Sequence, residues 1–256
     1  MKTGLVSITF RKLSPAQIVK LAAEAKLDGI EWGGDVHVPH GNLATAREVL
    51  SLTQDSGLSV AAYGSYYRAG ESENQGLTFG KVLETAKELG APLIRVWAGK
   101  KGSGKADESY RGIVVKDLQR IGEMAQNSGI IVSIEYHGNS LTDTNESAQA
   151  LMQEVAHPNV RLYWQPPNEK PFEYCYDGLK AILQHLTNLH VFYWSFAEGQ
   201  HQRRPLAEGK TVWSEYLGLS ASIGHDIWAL LEFVRGDSPE QFLDDARMLR
   251  QWVASL

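Results

Sequence analysis

Short apolar runs recur along this chain at nearly even intervals, and between them the apolar positions shift to a helical spacing. Runs at residues 4–10, 29–32, 58–63, 93–97, from 130, 160–164, 189–195 and 226–233 read as strands. Helices are expected at residues 14–25, opened by Ser14 and Pro15, at 43–55, stopped by Gly57, and at 77–89, stopped by Gly90. Further helices are expected at 107–127, halted by Gly129, from about residue 146 behind Thr144 as cap, and from Ser238 almost to Leu256. Eight strand–helix units in 256 residues give about 32 residues each, the rhythm of an α/β fold with a single (β/α)8 barrel. No linker or low-complexity segment divides the chain, so residues 1–256 read as one domain.

In such a barrel the site forms where the strands end. The stretch IIVSIEYHGNSLTDT at 130–144 is the most informative: Glu135 and His137 sit two residues apart after a β-branched run, so an extended backbone points both the same way. A carboxylate at the exit of a buried strand is costly to desolvate unless it binds something. Glu232, in ALLEF, stands in the same position on the last strand. Arg95 ends a buried strand and either holds a substrate oxygen or forms an ion pair with Glu135 or Glu31. Trp32, Tyr66, Trp97 and Trp194 offer rings for stacking on a substrate or for filling the mouth of the core.

Composition narrows the classes. Hydrophobic content of 43% and charged content of 21% describe a globular protein, and a net charge of -5 argues against a nucleic-acid partner. Cys175 is the only cysteine, which excludes an intrachain disulfide and fits a reducing compartment; a cytoplasmic location is expected. No apolar run approaches a membrane span, and the N-terminus is not read as a signal peptide. The loop GKKGSGK at 99–105 lacks P-loop spacing, and HQRRP at 201–205 puts Arg203 and Arg204 in the loop after the seventh strand.

The segments GIEW, IEYHGNSLTDT and ALLEF, with SITFR and RVWAGKKGS, resemble the xylose-isomerase-like TIM-barrel superfamily over essentially the whole chain. That group holds sugar and sugar-phosphate isomerases, ketose 3-epimerases, 3-dehydroshikimate dehydratases and apurinic endonucleases. The resemblance implies a divalent metal (Mn or Mg) on a Glu of strand five, an acid of strand six, a His of strand seven and a Glu of strand eight. Glu135 and Glu232 match the first and last, and Gln165 stands at the acid. Gapless alignment puts Phe192 at the His; His190 lies one pleat earlier and needs a bulge to reach. With two of four ligands replaced, metal binding is expected to be weak or absent, through Glu135, Gln165, Glu232 and His190.

The implied activity is a sugar or sugar-phosphate isomerase or epimerase working by proton abstraction beside a carbonyl. Glu135 and Glu232 would be its catalytic pair, and Arg95, His137, Trp32, Tyr66, Trp97 and Trp194 its substrate contacts. A dehydroshikimate-type dehydratase and a non-catalytic carbohydrate-binding barrel are the alternatives. The expected partner is a small polyhydroxylated substrate, with no nucleic acid and no membrane; a homo-oligomer is left open.

Overall fold

Strands that are apolar on both faces must be covered on both, and this chain does so by closing its sheet into a ring. The computed structural model describes every residue except Glu198 and His225. Seven strands come first: β1 (Lys2–Val6), β2 (Gly29–Gly33), β3 (Ser59–Arg68), β4 (Leu93–Trp97), β5 (Ile131–Glu135), β6 (Val160–Trp164) and β7 (Leu186–Val191). β8 (Tyr193–Ala197) and β9 (Gln200–Arg204) then form an antiparallel hairpin outside the ring, and β10 (Trp228–Leu231) returns to pair with β1 and close it. The eight ring strands are all parallel.

The helices are α1 (Pro15–Glu24), α2 (Leu43–Asp55), α3 (Phe79–Glu88), α4 (Glu108–Gln126), α5 (Asn145–Val155), α6 (Phe172–Ile182), α7 (Lys210–Ala221) and α8 (Pro239–Ala254). Ser14 opens α1 with a reciprocal capping box to Gln17, and Thr144 caps α5 through the amide of Ser147. Most of the buried apolar surface lies between these helices and the ring. The ring's own interior is a smaller cluster of Val6, Ile8, Ala61, Ala62, Leu93, Tyr163 and Leu230, above which the filling turns polar. No described helix is long and apolar enough to cross a membrane.

Three departures from the expected elements shape the mouth of the ring. The first strand stops at Val6 rather than residue 10, because Ser7–Phe10 coil into a 3-10 turn whose Ser7 Oγ accepts the Gly33 amide. The seventh strand stops at Val191 rather than 195, and the aromatic run after Phe192 turns outward into the hairpin. In β7 the register slips against β6, with Leu162 facing Leu186 but Tyr163 facing Asn188. Thr187 is the extra residue, and its hydroxyl replaces ladder bonding by donating to the Leu162 carbonyl at 3.0 Å and meeting Ser133 Oγ at 2.7 Å.

That slip sets which β7 side chains point inward. Thr187→Val keeps the shape but leaves Ser133 Oγ and the Leu162 carbonyl short of a partner, so urea unfolding should show a loss of about 1–3 kcal/mol. An unchanged midpoint would mean that the bulge is held by packing alone.

Candidate active site

Arg95 points into the ring from the middle of β4 and is 2% exposed. A guanidinium sealed from water needs anions on its edges. Its Nε donates to Glu31 Oε1 on β2 at 2.6 Å, and its Nη1 donates to Glu135 Oε2 at the end of β5. Nη2 is sealed beside Gly64, where a Cβ would come within 2.7 Å of both Arg95 Nη2 and Glu31 Oε1. Arg95 is thereby ion-paired with both Glu31 and Glu135, and it also lines the cavity that opens above them.

Glu135 is held on both oxygens. Trp97 Nε1 joins Arg95 on Oε2, while Gln165 Nε2 reaches Oε1 at 3.3 Å and the Tyr136 carbonyl at 2.6 Å. Burial pushes the Glu135 carboxyl up, but Arg95 and His190 outweigh it and hold it below the usual carboxylate range. Glu31, wholly buried, is likewise pushed up by burial and brought down to about 2 by Arg95 and His190.

The β7 slip brings His190, not Phe192, among these acids. Its Nε2 lies 3.3 Å from Glu31 Oε2, and its Nδ1 lies 3.3 Å from Glu135 Oε1, 3.2 Å from Glu232 Oε2 and 3.4 Å from Gln165 Oε1. Phe192 packs instead on Trp194 and Phe233, at 4.9 and 5.5 Å between ring centres, and a register slip of the kind His190 was expected to need is present in β7. Glu232 Oε2 is buried without a partner in hydrogen-bond geometry among the described residues, and burial together with Glu135 raises its carboxyl above the ordinary range against the pull of His190. Donor atoms of Glu135, His190 and Glu232 all lie within 4.8 Å of one another. Two carboxylates, an imidazole and the adjacent amide oxygen of Gln165 make a hard, mixed oxygen and nitrogen set that fits a divalent cation.

Above this layer opens a cavity of about 730 Å³ whose walls include Tyr66, Trp97, His137, Gln165, Trp194 and Glu232. His137 stacks on Trp97 at 4.3 Å and 26°, and its Nδ1 lies 2.6 Å from the Gly138 carbonyl. Tyr66 is turned into the cavity by a left-handed backbone (φ 55) at a register slip in β3, with Arg95 5.1 Å from its ring and Arg11 3.2 Å from its hydroxyl. Trp194 reaches the same cavity from β8. Trp32 does not: it is wholly buried with its indole N–H on Thr53 of α2, because alternation along β2 sends it outward when Glu31 points in. Its expected substrate contact is corrected accordingly.

Sequence reasoning passed over Tyr163, whose hydroxyl donates to Glu31 Oε2, because an aromatic residue in VRLYW reads as core. It also passed over Arg11 and Lys12, which line the cavity from the turn after β1. The 99–105 loop is spent on structure: Lys100 pairs with Glu71 at 2.6 Å, and the Ser103 amide donates to Asp143.

A closed parallel barrel with an acid–imidazole cluster at the C-terminal ends of its strands defines a TIM barrel with a set of candidate metal ligands at its mouth. The chain belongs to the xylose isomerase-like TIM barrel family, matched over residues 19–252. It is 30% identical to a 3-dehydroshikimate dehydratase of Bacillus anthracis over 173 residues, 63% of this chain, and the match spans about 60% of that relative's length. In fold it is similar to the probable 3-DHS dehydratase from Bacillus anthracis (TM-score 0.80, 24% identity, 98% of this chain and 99% of that one). It is also similar to a xylose isomerase-like TIM barrel protein from Mycobacterium smegmatis in complex with magnesium (0.79, 16%, 99% and 97%) and to a D-psicose 3-epimerase solved with D-fructose (0.75, 16%, 98% and 98%).

Arg95→Met removes the cation from between two buried carboxylates, and the expected cost in thermal or urea unfolding is about 3–5 kcal/mol. A loss below about 1 kcal/mol would mean that Glu31 and Glu135 are neutralised by other means.

Proposed function

We propose that this protein is a dehydratase of the 3-dehydroshikimate type, removing a proton next to a ketone in a small hydroxylated carboxylate and expelling a hydroxyl as water. The carrying observation is the asymmetry of the two glutamates: Glu135 accepts hydrogen bonds on both oxygens, whereas Glu232 Oε2 accepts none. Epimerisation by paired glutamates asks each to take and return a proton at the same carbon. A glutamate fixed by a guanidinium is ill suited to that. Loss of water needs only one proton carrier, because the proton taken from carbon can leave on the hydroxyl.

His137 is suited to carry it. The Gly138 carbonyl can only accept, so Nδ1 holds the proton of the neutral ring and Nε2 keeps a lone pair. Nε2 takes the proton as the C–H bond breaks, and the electron pair passes to the carbonyl oxygen. The carbonyl then re-forms as a C=C bond forms and the C–O bond breaks, and the imidazolium returns the proton to the departing hydroxyl, which leaves as water. A divalent cation held by Glu135, Gln165, His190 and Glu232 would supply positive charge against the charge developing on the carbonyl oxygen. Arg11, Lys12 and Arg203 line the same cavity and suit a substrate carboxylate. The dehydratase relative supports the same reading. A ketose 3-epimerase is the second reading, supported by the meeting of Glu135 and Glu232 at one cavity.

Incubation with Mn²⁺ in D₂O, beside dehydroshikimate and a panel of ketoses, separates the two. Mass spectrometry should show loss of water from dehydroshikimate and no deuterium in the ketoses; the reverse result selects the epimerase. His137→Asn should lower kcat by roughly 10²–10⁴-fold with Mn²⁺ affinity unchanged. Turnover within about tenfold of wild type would assign the proton to another group.

A further inference from the structure

Glu31 contributes nothing to the cavity wall, yet it touches Arg95, Tyr163 and His190 directly beneath it. It is 0% exposed, and its two oxygens receive Arg95 Nε at 2.6 Å, the Tyr163 hydroxyl, and His190 Nε2 at 3.3 Å. An ionised carboxylate accepts and cannot donate, so His190 meets it through an Nε2–H. When a cation takes the Nδ1 lone pair, the ring carries its one remaining proton on Nε2, the nitrogen that faces Glu31. Nδ1 is the nitrogen that faces Glu135 and Glu232. Through Arg95, the same carboxylate also steadies Glu135, since one guanidinium edge rests on Glu31 and the other nitrogen reaches Glu135.

We propose that Glu31 is the positioning residue of the cation site: it holds the Nε2 proton of His190, commits Nδ1 to the cation, and through Arg95 orients Glu135. Three features fit that role and no contact with substrate. The Tyr163 hydroxyl pins the oxygen that faces His190. The missing side chain at Gly64 leaves room for the Glu31–Arg95 pair, into which a Cβ would intrude at 2.7 Å. Glu31 and His190 are 159 residues apart and reach one another across the ring interior, so only the closed barrel joins them. Without the carboxylate, the imidazole proton is free to sit on Nδ1, where Glu135 and Glu232 would accept it and compete with the cation for the same lone pair. Outer partners of this kind typically shift metal affinity by about 10–100-fold. The inference rests on the cation cluster and not on the dehydratase reading, and it holds for any substrate.

The experiment is calorimetric titration of Mn²⁺ into wild type, Glu31→Gln and Tyr163→Phe, with ¹⁵N spectra of the histidine rings recorded in the presence of Mg²⁺. Wild type should bind Mn²⁺ and show His190 as the Nε2–H form. Glu31→Gln, whose amide can donate to Nε2, should bind about 10–100-fold more weakly and move the proton to Nδ1. Tyr163→Phe keeps the carboxylate but frees its oxygen, and should give a smaller loss in the same direction. Should Glu31→Gln fail to fold, Tyr163→Phe decides: unchanged affinity with an unchanged ring signal overturns the proposal. A folded Glu31→Gln protein that binds within about threefold of wild type and keeps Nε2–H overturns it as well. So does a wild type that takes up no Mn²⁺.

Discussion

The site depends on one buried guanidinium. Arg95 lies between Glu31 and Glu135 in the upper interior of the ring, where an unpaired charge of either sign would cost several kcal/mol. Satisfied on both sides, the triad becomes a rigid strut from β2 through β4 to β5. Trp97 and Gln165 then have a fixed carboxylate to bond to, and His190 has a fixed carboxylate on its far side. Below the strut the ring is filled with aliphatic and aromatic carbon; above it the cavity opens. The strut is thus both the lid of the core and the floor of the site.

The walls above that floor come from irregular backbone. Tyr66, Phe233 and Asp237 all line the cavity, and all adopt positive φ (55, 54 and 49). Non-glycine residues pay for that conformation, of order 1 kcal/mol or more each, and it persists where surrounding contacts determine it. Here the contacts are identifiable. Ser65 Oγ ties the β3 slip to the Arg95 carbonyl at 2.7 Å, and Phe233 is packed by Phe192, Trp194 and the guanidinium of Arg203. At β3 and just past β10, the backbone thus turns side chains toward the mouth through left-handed residues.

This irregularity explains what was legible in the sequence. The barrel was readable because eight apolar runs at even spacing admit few other closures, and helix limits followed from caps such as Ser14 and Thr144. Glu135 and Glu232 were readable because a carboxylate inside an aliphatic strand needs a reason. His190 was not assigned outright, since counting residues along β7 cannot see that Thr187 is looped out. Trp32 was misplaced although its parity with Glu31 held the answer: one of the two had to face the helices. The pairing of Arg95 with partners 64 and 40 residues away is set by closure of the ring, which local sequence does not contain.

Gln165 takes on a different meaning once the layer is assembled. Taken alone, an amide in place of an acid removes one negative charge from a cation site and weakens it. Within this layer, however, Arg95 answers both Glu31 and Glu135, and the carboxylates of Glu31, Glu135 and Glu232 all face the ring of His190. A third acid at position 165 would add a like charge beside the carboxylates of Glu135 and Glu232 in a low-dielectric interior. The amide keeps an oxygen facing the cluster while its nitrogen bonds to Glu135 and the Tyr136 carbonyl, a link that a carboxylate could not make. Gln165 is therefore the residue that ties β6 to β5 at the mouth and gives the cluster an oxygen without adding a charge.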